Sequence, residues 1–396
     1  MLKTLYNATA VLPREIREHT DLWLEGGKIA AIGDNLSVEG AAVIDAEGSY
    51  LMAGFVDIHV HGGGGADFMD LSKEAFETAV GCHLRHGTTT LYPTAVAAPF
   101  DDLKTFLEVY HTFAAGSELS SRTPGVHLEG PYFSGGGKLS RGAQKTDALR
   151  LPDMAEVKAL LDAADGSIKR WDASPELEGA IEFARYVSGL GILVSEAHTD
   201  ATAAEATLGF ENGFSHVTHF YNATSLHRKR EQTVYAGVVE ATYLDDNVSV
   251  ELILDGCHIP REDVLLALKI KGVQKVSAIT DAMRIAGTDM TGGKLGSLKN
   301  GMDVIVEDGV AKLTDKSSFA GSIATMDRCL RVLCLKYGID LPTASAMLSL
   351  SPAMLMGIDD RKGSIKVGKD ADLVLLDGEL RPIKVIAGGK IYEGAR

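Results

Sequence analysis

Two histidines two residues apart, His59 and His61 in "GFVDIHVHGG", close an apolar run. On a strand, residues i and i+2 project to the same side, so both imidazoles can grip one metal ion. The glycines that follow let the backbone pass close to such an ion or to a substrate. Glu129 ends the apolar run of "GVHLEGPYF", and His198 follows directly on "GILVSEA". His219 ends "GFSHVTH", and Asp281 closes "VSAITD". Glu129 is suited to ligate one metal ion or to bridge two. An Asp in the position of Asp281 can ligate a metal, take a proton from an attacking water, or both. Singly, each residue has an ordinary reading, such as a surface histidine in a Gly-rich loop or a salt bridge at a rim. Jointly they do not, because six candidate ligands fall at the same end of five apolar runs. Imidazole and carboxylate donors of this kind suit Zn²⁺ or Fe²⁺. His127 lies deeper in the run that ends at Glu129. His216, three residues before His219, is expected to face away from it. Both are read as structural hydrogen-bonding groups.

To bring those ends together the chain needs parallel strands that converge at one face. Eight apolar runs qualify: 55–59, 88–93, 124–129, 168–173, 191–197, 214–220, 248–254 and 276–281. Helical patterns such as "SKEAFETAVGCHLRHG" and "PELEGAIEFARYVSGLG" separate them. Eight such units in about 300 residues predict an α/β fold, a (β/α)8 TIM-like barrel, whose catalytic face lies at the C-terminal ends of its strands. An open doubly wound sheet is less well supported, because "HGGGGADF" after the first strand lacks the GxGxxG spacing and an immediate helix. The first ~53 and last ~40 residues read instead as short strands with Gly turns. We therefore expect a small β-sandwich domain built from both termini, 1–53 and 356–396, around a barrel over 54–355.

The formal net charge of −15 on 396 residues argues against a nucleic-acid or anionic-membrane partner, since like charges repel. Any phosphate on a substrate must therefore meet local positive charge. Cys82, Cys257, Cys329 and Cys334 show no CxxC spacing and are too few for a disulfide framework in a chain of this length. No run approaches the roughly 20 apolar residues of a membrane span, and the N-terminus carries no signal-peptide pattern. The expected location is cytoplasmic.

The pieces "GFVDIHVHG", "HLEGPYF", "ASPE", "EAHTDA", "THFYNA", "DGCHIP", "ITDAM" and "FAGSIATMD" occur in the order found in one group of enzymes. The sequence resembles the N-acetylglucosamine-6-phosphate deacetylases of the amidohydrolase superfamily. The resemblance implies that Glu129, His198 and His219 hold one divalent metal, and that His59, His61 and Asp281 can build a second site. One or two ions are therefore expected, Zn²⁺ before Fe²⁺. It implies that Asp281 is the catalytic base and then acid, and that His258 contacts substrate. Asn222 and Ala223 would meet the sugar phosphate, and the turn Ala320, Gly321, Ser322 would lie beside the acetyl group. A cytosolic homodimer acting on a small amino-sugar phosphate is the family habit. Strand four, "KRWDASPE", has no Lys at its C-terminal end, so a bridging role falls to Glu129 instead of a carboxylated lysine.

Two departures concern the substrate. Where the family has "KKGAH" this chain reads "SRGAQ", which puts Gln144 in the place of a sugar-contacting His. Gln donates a hydrogen bond but carries no charge. The family's phosphate-binding Arg aligns with Arg230, within the basic run His227, Arg228, Lys229, Arg230. The expected reaction is hydrolysis of N-acetylglucosamine 6-phosphate to glucosamine 6-phosphate and acetate. N-acetylgalactosamine 6-phosphate, an unphosphorylated N-acetyl sugar, an N-acyl amino acid or a non-catalytic sugar-binding role are the alternatives.

Overall fold

The computed structural model describes residues 3–36, 39–135 and 137–395, less the side chains at 3, 6, 138, 139 and 230. The chain opens with strands β1 (Lys3–Val11), β2 (Ile16–Glu25), β3 (Lys28–Gly33), β4 (Ala42–Asp45) and β5 (Tyr50–Ala53). The β2–β3 turn falls at Gly26-Gly27, whose φ values of 57° and 79° are those a tight hairpin needs.

Eight strands then alternate with helices. They are β6 (Phe55–Val60), β7 (Thr88–Ala95), β8 (Val126–Tyr132), β9 (Ile168–Ala173), β10 (Leu193–Glu196), β11 (Phe214–Val217), β12 (Ser249–Ile253) and β13 (Val276–Ile279). Each pairs in parallel with the next, in chain order. The ring closes where Asp281 N–H donates to the His59 carbonyl at 3.0 Å and His61 N–H to the Ala282 carbonyl at 2.8 Å. The eight expected strands are thus a closed (β/α)8 barrel.

Some of the helices between them start where a side chain caps their free N–H groups. Ser72 accepts from Ala75 N–H ahead of α1 (Lys73–Arg85). Thr202 and Glu205 form a capping box on α2 (Ala203–Phe210). Apolar side chains fill the space between strands and helices, among them Phe76, Phe106, Trp171 and Phe183 on one side of the ring and Val250, Val276, Leu330 and Leu333 on the other. Burying each large one stabilises the fold by roughly 1.5–3 kcal/mol. The inside of the barrel differs: Arg170, Asp172, Glu251, His127 and His216 all lie there with no exposed surface.

After β13 comes an antiparallel sheet, β14 (Gly292–Leu295), β15 (Met302–Glu307) and β16 (Val310–Leu313). Sequence alone does not separate it from the barrel, although "DVIVEDGVAKL" sets two short apolar runs on either side of an Asp-Gly turn. Finally β17 (Leu373–Leu376), β18 (Pro382–Ala387) and β19 (Lys390–Glu393) return to the first strands. Strands from both ends form one sheet in the order β19-β18-β17-β5-β1-β2-β3, with β4 beside β1. The apolar residues Leu5, Leu22, Leu51, Leu373 and Ile386 cluster on it.

Candidate metal centre and active site

Six side chains from five strand ends converge at the mouth of the barrel. Glu129 is the hub. Its Oε1 lies 3.0 Å from His198 Nε2, 3.2 Å from His219 Nε2 and 3.7 Å from His59 Nε2. Its Oε2 is 3.5 Å from His61 Nε2. Asp281 Oδ1 stands 3.1 Å from His61 Nε2 and 3.7 Å from His59 Nε2. Two donor groups result, His59–His61–Glu129 and Glu129–His198–His219, with Glu129 common to both.

The orientation of the rings decides what the cluster can hold. Nδ1 of His198 faces the Ser140 carbonyl at 2.8 Å, Nδ1 of His219 the Asn222 carbonyl at 3.0 Å, and Nδ1 of His61 the Thr94 carbonyl at 3.3 Å. Nδ1 of His59 faces a Glu251 carboxylate oxygen at 2.8 Å. These oxygens only accept, so every Nδ1 carries its proton and donates. In their neutral form the rings turn four Nε2 lone pairs toward one another and toward two carboxylates. His59 and His61 Nε2 are 3.3 Å apart, and His198 and His219 Nε2 3.2 Å. Lone pairs at that spacing repel unless positive charge sits among them, which is the arrangement of metal-ligating histidines oriented by their other nitrogen.

The electrostatics agree. Burial tends to raise the Glu129 carboxyl, but the hydrogen bonds from His198 and His219 outweigh it and hold Glu129 well below the usual range. Burial likewise opposes Asp281, and the adjacent His59 and His61 hold it low. Both carboxylates therefore stay ionised. Burial disfavours a charged His61, yet Asp281 and Glu129 push it up to about 9. His219 is raised to about 9 against burial by Glu129. Where no other cation is present, protons fill its place.

Local backbone geometry aims three of these candidate donors. His198, His219 and Asp281 have φ of 47°, 29° and 48°, a left-handed conformation that costs a non-glycine residue of order 1–3 kcal/mol. Each strand stops before the residue concerned, and the reversal swings its side chain over the barrel mouth. The reversal at His219 also upsets simple alternation. His216 was expected to face away, but it lies inside the barrel, with Nδ1 2.8 Å from Ser249 Oγ and Nε2 3.3 Å from Glu251. His127 sits below Glu129, 2.9 Å from Asp172. Burial lowers its pKa to about 3, so it is a neutral partner inside the barrel.

A cavity of about 340 Å³ opens above the cluster. Gln144, Asn222, Ala223, His258 and Gly321 line it together with His61, Glu129, His198, His219 and Asp281. His258 donates from Nδ1 to Asp255 at 2.9 Å and packs against Phe319. Asn222 Nδ2 is buried with no hydrogen-bond partner among the described residues. Gln144 has both ends of its amide engaged, accepting from Ala97 N–H at 3.1 Å and donating to Glu129 Oε2 at 2.8 Å. Ala320 and Ser322 do not line the cavity. Both are fully buried; Ala320 N–H donates to the Ala311 carbonyl at 3.0 Å and Ser322 N–H to the Asp281 carbonyl at 2.8 Å. Gly321 (φ 62°) must be small there, because a Cβ would stand 2.8 Å from that same carbonyl. The side chain of Arg230 lies outside the described residues, while its backbone is in a hairpin, Arg228–Arg230 with Thr233–Tyr235.

The amidohydrolase family pattern matches residues 50–392. The chain belongs to the amidohydrolase family. Among its relatives, the N-acetylglucosamine-6-phosphate deacetylase of Lysinibacillus sphaericus is 31% identical over 97% of this chain and 96% of its own length. The N-acetylgalactosamine-6-phosphate deacetylase of Escherichia coli O157:H7 is 30% identical, covering 88% and 89%. The crystal structure of N-acetylglucosamine-6-phosphate deacetylase from Pasteurella multocida superimposes with a TM-score of 0.91 over the whole of both chains at 28% identity. This amidohydrolase is thus a hydrolase of C–N amide bonds whose family works with divalent metal.

Sequence reasoning missed the residues that support this site. Arg170 and Asp172 in "IKRWDA" and Glu251 in "SVELIL" are charges inside apolar strands, at alternate positions pointing into the barrel. That pattern was the available signal. Phe319 and Asp255, which fix His258, carried no such mark.

Proposed function

We propose that this amidohydrolase removes the acetyl group of N-acetylglucosamine 6-phosphate, giving glucosamine 6-phosphate and acetate. The observation that carries the reading is the inward-facing set of four Nε2 atoms and two ionised carboxylates beneath a sugar-sized cavity. The donors fit one or two divalent cations, Zn²⁺ before Fe²⁺: Glu129, His198 and His219 would hold one, and His59, His61 and Asp281 a second. Such an ion, when bound, supplies positive charge to polarise the acetamide carbonyl and lowers the pKa of a bound water.

The chain's own residues do the rest. Asp281 accepts the proton of the attacking water and then delivers it to the leaving amine, one carboxylate serving as base and acid in turn. The Asp255 carboxylate fixes the His258 tautomer, leaving Nε2 to receive a sugar hydroxyl. Asn222 offers its unpartnered amide N–H to a substrate oxygen. Arg230 supplies charge for the phosphate. A homodimer in the cytoplasm is the expected setting. Cys82, Cys257, Cys329 and Cys334 are free thiols, and no described helix is long and apolar enough to cross a membrane. The division into 1–53 with 356–396 and 54–355 belongs to the same reading.

The test is acetate release by Zn²⁺-loaded protein from N-acetylglucosamine 6-phosphate, its C4 epimer and the unphosphorylated sugar. Turnover of the first alone is the expected result. Preference for the epimer would reassign the sugar, and turnover without phosphate would remove the role of Arg230.

A further inference from the structure

Below the ligands lies a carboxylate that touches both halves of the donor cluster. Glu251 has no exposed surface. Its Oε1 accepts from His59 Nδ1–H at 2.8 Å and from the backbone N–H of His219 at 3.2 Å. The first contact fixes the His59 tautomer that points Nε2 into the His59–His61–Glu129 group. The second pins the left-handed reversal that aims His219 into the other group. A buried carboxylate needs a counter-charge, and Arg170 supplies it with Nη2 to Oε1 at 2.9 Å and Nη1 to Oε2 at 2.5 Å. His216 Nε2 is 3.3 Å from Oε2. Arg170 is held in turn by Asp172, Thr218 Oγ1 and the Ile58 carbonyl. The assembly is therefore a rigid, fully paired floor.

We infer that Glu251, held by Arg170, is a positioning residue that presets His59 and His219 together, so that metal affinity of both groups depends on one buried side chain that ligates neither. The inference rests on the metal-dependent reading above. Carboxylates that orient a ligating His are worth roughly 10–100-fold in metal affinity. The step that fills the His59 half should weaken most, because there the contact is to the ligand ring itself.

The experiment is titration of metal-free protein with Zn²⁺ against a competing chelator, and with Co²⁺ followed by its visible absorption, for wild type, Glu251→Gln and Glu251→Asp. Glu251→Gln leaves the Arg170 charge poorly compensated, so near-ultraviolet circular dichroism of each metal-free variant accompanies the titration. Glu251→Asp keeps a charge opposite Arg170 while withdrawing the oxygen from His59, and it decides the matter if Glu251→Gln does not fold. The expected result is folded Glu251→Asp that binds metal roughly 10–100-fold more weakly with an altered Co²⁺ spectrum. Folded Glu251→Asp with the wild-type isotherm and spectrum overturns the inference and leaves the proposed function standing. A wild type that takes up no metal overturns both.

Discussion

The donor cluster and the basic hairpin are built on opposite terms. Around Glu129, all six converging side chains are buried, and each ring nitrogen that faces away from the centre has an acceptor. The hairpin at 228–235 instead leaves Val234 58% and Tyr235 42% exposed. Chemistry at the cluster needs lone pairs held in one geometry before the reaction, which only a packed and fully hydrogen-bonded surround provides. Recognition at the hairpin needs charge within reach of a phosphate, which a solvated loop can supply. Substitutions in the first region should act on kcat and metal, and those in the second on KM.

Asp281→Asn should show the largest effect. Its carboxylate stands 3.1 Å from His61 Nε2, and an amide cannot take up a proton and return it. The expected fall in kcat is roughly 10²–10⁴-fold, read from acetate release by the metal-loaded variant at saturating sugar. A kcat within tenfold of wild type would move the proton transfer away from Asp281.

The second effect separates the cluster from every other buried histidine. Asp281 and Glu129 raise His61, and Glu129 raises His219, both to about 9 from an ordinary 6.5. Below about pH 6.5 both folded and unfolded chains carry those protons, and the stabilisation is complete. Between 6.5 and 9 the folded chain keeps protons that the unfolded chain has lost, so stability falls as pH rises. His127 and His83, which burial lowers to about 3 and about 4, contribute nothing in that window. Metal-free protein should therefore show a Tm that drops from pH 6.5 to 9. Zn²⁺ should flatten the profile by replacing the protons. An equally flat profile without metal would mean the rings are neutral throughout.

The same division explains what could be read from residues alone. The eight strands were legible because apolar runs bounded by polar ends repeat with regular spacing. The convergence of the six candidate donors was legible because each sits at the end of such a run or just past it. What could not be read was set by backbone geometry. Reversals at His198, His219 and Asp281 have no marker in residue type, since none is a glycine. The inward position of His216 follows from one of them. Ala320 and Ser322 were expected beside the acetyl group by resemblance; both are fully buried, and Ser322 N–H donates to the Asp281 carbonyl. Gln144 was expected to meet substrate. It lines the cavity, but its amide already spans Ala97 and Glu129.

The smallest effect tests the other side of the comparison. Two arginines in the hairpin could meet a phosphate, and one of them, Arg228, is already engaged. Arg228 already directs Nη1 at Asp200 Oδ1, 3.1 Å away, and Nη2 at the Asp200 carbonyl. A guanidinium held in this way gains less from a phosphate because it must give up existing partners. Arg230→Ala should therefore raise KM for the phosphorylated sugar, with kcat unchanged. The loss of a hydrogen bond to a charged group, about 1.5–3 kcal/mol, corresponds to a rise of roughly 10–150-fold. Arg228→Ala should move KM less. For the unphosphorylated sugar neither change should matter. If Arg228→Ala proves the more damaging, the phosphate lies nearer Asp200 than the hairpin tip. The recognition region would then begin at the edge of the buried cluster instead of beyond it.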